Sequence, residues 1–554
     1  YVAEAIKQGG AAAIMQISHG GRQANGGATG LVPVAPSAIA CKFVQRQPRA
    51  LSIEEIQEIE DCFAAAALRA KMAGFDGVEL HGAHGYLINE FVSPYTNHRE
   101  DAYGGSAENR ARFPLNIIAK IREQVGPDFI VGYRMSASEG VEGGLTPEMM
   151  ADFARLIEDK VDYINVAAGI YETMEQYIIT PNYEPHAVNV PFAKLIKQAV
   201  TKCPVIVVNS LNPDSGEKAL EEGAADIIAF GRSLIADPYL PRKLAEGRRE
   251  DVRPCCRGHE GCVSSSFVGC PLRCEVNPQA GREKDWKLKK TADPKRVVVV
   301  GGGVAGMEAA RLADALGHRV TLLEKTDVLG GHFIEATQSD FKTDHAAVLK
   351  WLCTQIAKSG VDVRMKTEAT PEMVKALNPD AVFVATGSKY IRIPVEGIEK
   401  ALMPDDVLMK RVEVGQKVAV IGGGLVGTET ALELSQQGKE ITIIEMLPEI
   451  AMQDEALCRI SLMKHLAAAG VTCLTNSRVT RLADGKIYFL TKEGEKTLEV
   501  DSVVAATGLR ADTAVSEPFD GVCSTVVRLG DAVKGGKIFD CFHNAWLAVR
   551  KLDE

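Results

Sequence analysis

Arg296-Val-Val-Val-Val-Gly301-Gly-Gly303-Val-Ala-Gly306 is followed by a helix-length stretch and then by Val320-Thr-Leu-Leu-Glu324. The same order returns as Lys417-Val-Ala-Val-Ile-Gly422-Gly-Gly424-Leu-Val-Gly427 and Ile441-Thr-Ile-Ile-Glu445. A glycine pattern by itself says little. Here each copy has its full setting of apolar strand, glycine turn, helix, second strand and terminal acid. Gly301 and Gly422 permit the tight turn. Gly303 and Gly424 let the backbone approach a pyrophosphate, and Gly306 and Gly427 let helix and strand pack closely. The helix N-terminus then turns its N–H groups and positive dipole end toward phosphates. Glu324 and Glu445 each lie eighteen residues past the third glycine of their loop, where a carboxylate can hold ribose hydroxyls. Glycine turns without a ligand are the plain alternative. The reading is two Rossmann-like dinucleotide-binding units in tandem.

Upstream of this repeat lies a charged stretch, residues 281–294, that ends at Pro294 and reads as a linker. Before it, five of the 13 cysteines crowd between Cys255 and Cys274, while the others are scattered singly. Such clustering in a large chain indicates metal binding, not a disulfide framework. Zinc on the same residues and inert buried thiols are the alternatives. Thiolate ligands need a reducing compartment, so a cytoplasmic location is expected.

Residues 1–240 alternate short apolar runs with helix-length segments, the pattern of a parallel sheet. The strand candidates are Ala11–Ser18, Gly77–His81, Ile130–Ser136, Tyr163–Ala168, Val205–Ser210 and Ile227–Arg232. Ser52 and Glu55 form a capping box for one intervening helix, and Gly74 closes it. Six β/α units are visible where a closed (β/α)8 barrel needs eight. The chain opens at Tyr1 inside a helix-like run, which suggests a barrel cut at its N-terminus; a six-stranded open sheet is the alternative. His81, His84 and Tyr86 lie within six residues at the end of a predicted strand. Two imidazoles can donate hydrogen bonds to a carbonyl oxygen that gains negative charge. A phenol can then supply a proton to carbon.

A 554-residue chain suggests two to four domains. A net charge of −10 argues against nucleic acid as a partner, and no apolar run reaches the roughly 18 residues of a membrane span.

These motifs carry two resemblances. The tandem units, with Gly330-Gly331, Ala385-Thr386-Gly387, Ala506-Thr507-Gly508 and Gly530-Asp531, are similar to two-dinucleotide flavoprotein reductases of the glutathione-reductase type. That resemblance implies FAD on the first unit, with Gly331, Gly387 and Asp531 contributing, and NADH on the second. Glu445 would repel a 2′-phosphate, which favours NADH over NADPH. The stretch from His81-Gly-Ala-His84-Gly-Tyr86 through Asn97-His98-Arg99, Tyr103-Gly104-Gly105 and Arg112-Phe113 resembles the old yellow enzyme family. It implies an FMN site with Gln16 and His19 from Gln16-Ile-Ser-His19, Arg134 near the flavin pyrimidine, and Gly231-Arg232 at the phosphate. Asn209-Ser210-Leu211 departs from the family, which usually has a glycine there.

The whole chain resembles the 2,4-dienoyl-CoA reductase and enoate reductase branch, which includes bile-acid and steroid ene-reductases. That branch holds a [4Fe–4S] cluster on C-x2-C-x3-C-x11-C. Cys255, Cys262 and Cys274 match it, but the second ligand position is Gly258. Cys256 is the best substitute, with Cys270 or His259 possible. The expected fold is α/β: an N-terminally truncated TIM (β/α)8 barrel, an iron–sulfur segment and two Rossmann-like domains. Its parts are an FMN-binding barrel at 1–250 with the first two strands missing, the iron–sulfur segment and linker at 251–294, an FAD domain at 295–405 and 505–554, and an NAD(H) domain at 406–504. The implied reaction is NADH-dependent reduction of a C=C bond conjugated to a carbonyl, with Tyr86, His81 and His84 at the substrate. The implied partner is a small unsaturated carbonyl compound, in a chain that could form a homo-oligomer. Two other readings stay open: an amine dehydrogenase of the trimethylamine dehydrogenase type, and an electron-transfer subunit without its own substrate.

Overall fold

The computed structural model describes residues 1–553, the side chains of Ala28 and Thr29 apart. The chain divides into two compact units, Tyr1–Thr180 with Glu184–Gly231, and Pro181–Tyr183 with Arg232–Glu554.

The first unit is built on six parallel strands: β1 (Ile14–Ile17), β2 (Gly77–Gly82), β3 (Ile130–Ser136), β4 (Tyr163–Ala167), β5 (Val205–Val208) and β6 (Ile227–Ala229). They lie side by side in chain order. An open doubly wound sheet reverses its strand order at a switch point, and this sheet does not, so its winding is that of a barrel. The strands alternate between two faces. Val78, Leu80, Val131, Tyr133, Ile164, Val166, Val205 and Val207 pack into the helical layer. Gln16, Glu79, His81, Arg134 and Asn165 alternate with that apolar set. The sheet is buried on both faces, as in Gly77–Gly82, where every residue is buried. One of the two faces is polar because it carries the candidate site.

Two strands stop two or three residues earlier than their apolar runs suggest, and two others stop one residue earlier. β5 ends at Val208 because Asn209 and Ser210 adopt φ of 108° and 47°, the left-handed region that favours glycine. β6 ends at Ala229, and Arg232 already opens a short helix.

The helix α1 (Ile53–Met72) begins as its sequence indicates. Ser52 Oγ accepts from the Glu55 N–H at 3.2 Å, and the Glu55 carboxylate accepts from the Ser52 N–H at 2.9 Å. Gly74 follows its last turn at φ +88°. The helix buries Ile56, Phe63, Ala64 and Ala67. Burial of the two large side chains contributes about 1.5–3 kcal/mol each. Two further helices, α2 (Leu87–Val92) and α3 (Ala107–Val125), complete the layer near the site.

The second unit holds two parallel sheets. The first joins β7 (Arg296–Val300), β8 (Arg319–Leu323), β9 (Asp362–Arg364), β10 (Ala381–Val384) and β15 (Val526–Arg528) in the order β9-β8-β7-β10-β15. The other joins β11 (Lys417–Ile421), β12 (Glu440–Ile444), β13 (Thr472–Leu474) and β14 (Ser502–Ala505) in the order β13-β12-β11-β14. β15 comes after the whole second sheet yet pairs with β10, so the second fold is an insertion within the first. The helix α4 (Val304–Leu316) follows the first glycine loop, and α5 (Thr343–Lys358) packs against α4. The helices α6 (Leu425–Gln436) and α7 (Ala456–Ala468) belong to the inserted fold, and α8 (Ile538–Arg550) returns to pack on α4. No helix among the described residues is long and apolar enough to cross a membrane.

Candidate functional site

In the first unit, β2 delivers His81 beside Arg134 of β3 in register. The chain then turns sharply through His84, whose φ of +63° is unusual for a side chain of that size. The turn is held by two bonds. The His84 N–H donates to Ser136 Oγ, and the Gln23 amide donates to the His84 carbonyl, both at 2.8 Å. Tyr86 follows as the residue that opens α2. The three rings meet edge to face, with centroids 5.0 Å apart for His81–His84 and 4.8 Å for His81–Tyr86. The Tyr86 hydroxyl lies 2.9 Å from the Tyr171 hydroxyl.

His81 Nδ1 accepts from the Ala83 N–H at 3.3 Å, which leaves Nε2 to carry the proton. Burial lowers the His81 pKa to about 3, with the Arg134 guanidinium adding to the effect. The same two causes push His84 well below its usual range. Both imidazoles are therefore neutral N–H donors at physiological pH. The pH profile of turnover at this site should show no ionisation from His81 between pH 5 and 9. An apparent pKa near 6.5 that disappears in His81→Asn would contradict this.

The adjoining polar face is knit by Glu79. Its carboxylate accepts from the Gln16 amide at 2.6 Å and from the Asn165 amide at 3.0 Å. His19 Nδ1 accepts from the Gly21 N–H at 3.1 Å, and burial lowers its pKa. Arg134 Nε is buried and has no hydrogen-bond partner among the described residues. A buried guanidinium with an unmet donor suits a ligand rich in acceptors, and a flavin pyrimidine ring is one. Gly231 has open space at its Cα, and Arg232 Nη1 lies 2.6 Å from His259 Nε2.

The second unit contains a cavity of about 980 Å³ lined by Gly301, Gly303, Gly331, Gly387 and Asp531. Its size suits a dinucleotide. A Cβ on Gly306 would lie 1.9 Å from the Gly301 carbonyl oxygen, and a Cβ on Gly427 would lie 1.9 Å from that of Gly422. Helix and strand thus meet in the same way in both copies. If the first copy holds flavin and the second NADH, as their motifs imply, Gly306→Ala should empty the flavin from this unit, read as the flavin-to-protein ratio. Gly427→Ala should weaken NADH binding while flavin is retained, and equal flavin loss in both variants would contradict the division of labour. Glu324 accepts from the Gly302 N–H at 2.7 Å and the Thr326 N–H at 2.8 Å. Glu445 accepts from the Gly423 N–H at 2.6 Å and the Leu447 N–H at 2.7 Å. Each carboxylate braces its glycine loop and keeps lone pairs for ribose hydroxyls. Asp531 accepts from Ser388 Oγ at 2.9 Å and from the Gly536 N–H at 3.0 Å.

The cysteine segment also belongs to this unit. Cys256 and Cys274 are buried, Cys255 and Cys262 are half-buried, and Cys270 is exposed. Burial first, and then the Cys255 thiol, raise Cys262 to about 11 and Cys274 to about 12. Without a cation these sulfurs stay protonated; a metal centre would hold them as thiolates. Cys256 Sγ donates to Glu275 Oε2 at 2.8 Å. A Cβ on Gly258 would lie 2.4 Å from that same oxygen. The Cys256 thiol and a side chain at position 258 thus converge on one point. Three thiols in the spacing of a cluster motif, with the buried Cys256 next in sequence to the first of them, suit an iron–sulfur group.

Several residues at these sites carry no motif. Tyr171, Glu79 and Glu275 reach the sites only through folding. So does Cys458 of α7, whose Sγ lies 3.4 Å from the Gly258 carbonyl. Their partners lie between 19 and 200 positions away, and no motif announces the pairings.

Residues 1–251 match the NADH:flavin oxidoreductase / NADH oxidase family model, and residues 280–376 and 347–522 match the pyridine nucleotide-disulphide oxidoreductase model. An NADH oxidase of Thermoanaerobacter brockii is 42% identical over 98% of this chain and 86% of its own length. A cinnamate reductase of Clostridium sporogenes is 35% identical over 99% of this chain and 86% of its own. The structure of a 2-naphthoyl-CoA reductase in complex with 2-naphthoyl-CoA superposes with a TM-score of 0.95 at 33% identity, covering 99% of this chain and 86% of that one. An N,N-dimethylglycine/sarcosine dehydrogenase of Chromohalobacter salexigens is 31% identical over 93% of this chain and 78% of its own length. This chain belongs to the NADH:flavin oxidoreductase family, in its old yellow enzyme and enoate reductase branch. It is an oxidoreductase whose family implies flavin and NADH, and its relatives include both C=C reductases and amine dehydrogenases.

Proposed function

We propose that the protein is an NADH-dependent ene-reductase acting on a C=C bond conjugated to a carbonyl. The observation that carries the reading is the group of His81, His84 and Tyr86, with both imidazoles neutral and the phenol backed by Tyr171 at 2.9 Å. His81 Nε2–H and an N–H of His84 bind the substrate carbonyl oxygen and stabilise the negative charge that develops there. Tyr86 delivers its hydroxyl proton to the α-carbon, and Tyr171 holds that hydroxyl in place through their shared hydrogen bond.

Gln16, His19, Arg134, Gly231 and Arg232 would hold FMN, which would supply hydride chemistry at the β-carbon. Arg134 offers the guanidinium that favours extra negative charge on the ring. In the second unit, Gly301, Gly303, Gly306, Glu324, Gly331, Gly387 and Asp531 hold FAD. Gly422, Gly424, Gly427 and Glu445 hold NADH, and Cys255, Cys256, Cys262 and Cys274 hold a [4Fe–4S] cluster. When bound, these groups would supply the one-electron chemistry that links a two-electron donor to the flavin of the first unit.

Glu445 selects NADH by repelling a 2′-phosphate. Glu445→Ala should narrow the NADH/NADPH preference in kcat/KM, and a wild-type preference for NADPH would refute the assignment. The test of the whole proposal is anaerobic NADH oxidation with a panel of cinnamate, an enoyl-CoA thioester, a 3-keto-steroid enone and N,N-dimethylglycine. Turnover with an unsaturated carbonyl supports it. Flavin reduction by the amine, with no turnover of any enone, supports an amine dehydrogenase instead.

A further inference from the structure

The cavity of the second unit reaches a polar cluster that none of the steps above uses. Tyr183 is buried, and its hydroxyl donates to Glu429 Oε1 at 2.6 Å and lies 3.3 Å from Asp454 Oδ2. Lys342 Nζ is paired with Glu429 and sits 5.3 Å from the centre of the Tyr183 ring. Phe341 tilts against that ring at 5.7 Å. Glu429 lies in α6, the helix that opens from the second glycine loop. Lys342 immediately precedes α5, and Asp454 immediately precedes the turn into α7. All four polar residues line the same cavity as Gly301 and Gly303. The cluster therefore adjoins the cavity of one dinucleotide fold and the first helix of the other.

One phenolic proton faces two carboxylates here. Lys342 neutralises Glu429, while Asp454 has no lysine within salt-bridge distance in the described set. Burial, and then the Glu429 charge, raise Asp454 to about 6 despite Lys537 and Lys342, which act against the shift. Glu455 and Cys458 also face it from the start of α7. A carboxyl of this kind can gain and lose a proton near neutral pH.

We propose that Tyr183, Glu429 and Asp454 form a proton-accepting station for the NADH-oxidising half of the enzyme. The inference rests on the proposed function above. NADH gives up two electrons with one proton and becomes NAD⁺. When the two electrons pass on to a one-electron acceptor, that proton remains and must leave the cavity. Asp454 Oδ2 takes it, while Tyr183 keeps its own proton on the bond to Glu429 and holds the two carboxylates in place. Asp454 then returns the proton to solvent. Asp454 is the acceptor, and Tyr183 is a positioning residue.

The test uses the full chain with its flavins bound. Reductive titration with dithionite, followed by spectroelectrochemistry, gives the midpoint potential of the second-unit flavin against pH. In the wild-type protein the slope should change near pH 6. Asp454→Asn should remove that change, and Tyr183→Phe should move it. In stopped flow, reoxidation of the NADH-reduced enzyme by ferricyanide should slow tenfold or more in Asp454→Asn, by more than the NADH limb does, and lose its pH dependence. Asp454→Glu should recover most of the rate. A potential–pH curve identical in wild type and Asp454→Asn would overturn the inference, as would an equal loss on both limbs. If NADH fails to reduce the wild-type flavin, the proposed function fails instead, and the dithionite titration still reports on Asp454.

Discussion

Tyr86→Phe should slow reoxidation of the reduced enzyme by an unsaturated carbonyl by about 100-fold or more, the span over which a positioned general acid acts. The substitution keeps the ring that packs on His81 at 4.8 Å. It removes only the hydroxyl, and with it the bond to Tyr171. In the proposed function, flavin reduction by NADH belongs to the second unit, so it should proceed as before. The loss should therefore fall on the oxidative limb alone, in stopped flow with each limb followed separately. Tyr171 provides a second readout. Burial, and then the Tyr86 hydroxyl, raise its pKa, so Tyr171 keeps its proton and cannot easily replace Tyr86 as the acid. Tyr171→Phe should consequently cost less than Tyr86→Phe. Unchanged enone turnover in Tyr86→Phe would mean that solvent or another group supplies the proton.

Cys256→Ser should lose iron, and Cys270→Ser should keep it. The family spacing calls for a ligand at position 258, where Gly258 has no side chain. Cys256 Sγ already lies 2.8 Å from Glu275 Oε2, and a Cβ on Gly258 would point at the same oxygen from 2.4 Å. The two positions thus meet at one carboxylate oxygen. Cys270 is exposed, and its preference for solvent sets it apart from the buried thiols. Anaerobic iron and sulfide counts with an EPR spectrum of the reduced protein decide between them. The wild type should hold about four irons. Four irons in Cys256→Ser would transfer the role to Cys270, Cys458 or His259. Gly258→Cys placed on the Cys256→Ser background should restore iron, and Glu275→Ala should help it to do so by clearing the crowded oxygen.

Most of the architecture was legible in the chain because local rules govern it. The tandem glycine loops announced two dinucleotide folds. Their geometry follows from the lack of a Cβ at Gly306 and Gly427, a property of the residue and not of its surroundings. The six apolar runs each became a strand, and the Ser52–Glu55 capping box formed as its spacing indicates. The cluster of His81, His84 and Tyr86 was legible for the same reason, since three residues within six positions must share one strand end. The sequence was less informative where strands stop. Asn209 tolerates a left-handed backbone without requiring one, and Ser210 seldom adopts it, so their identities leave the strand end undecided.

Only the tertiary structure decided which long-range partners complete each site. Tyr171 reaches Tyr86 across 85 positions, and Tyr183 reaches Glu429 across 246. The winding of the first sheet as a barrel is also a tertiary fact, because strand order depends on which edges pair and not on the composition of any strand. The neutral state of His81 has the same origin. An imidazole in water titrates near 6.5. Here it stays neutral because folding removes water from it and sets Arg134 in the neighbouring strand beside it. The sequence by itself determined the residue types available to the chemistry. Folding determined their protonation states and partners, because desolvation and charge pairing act through space and not along the chain.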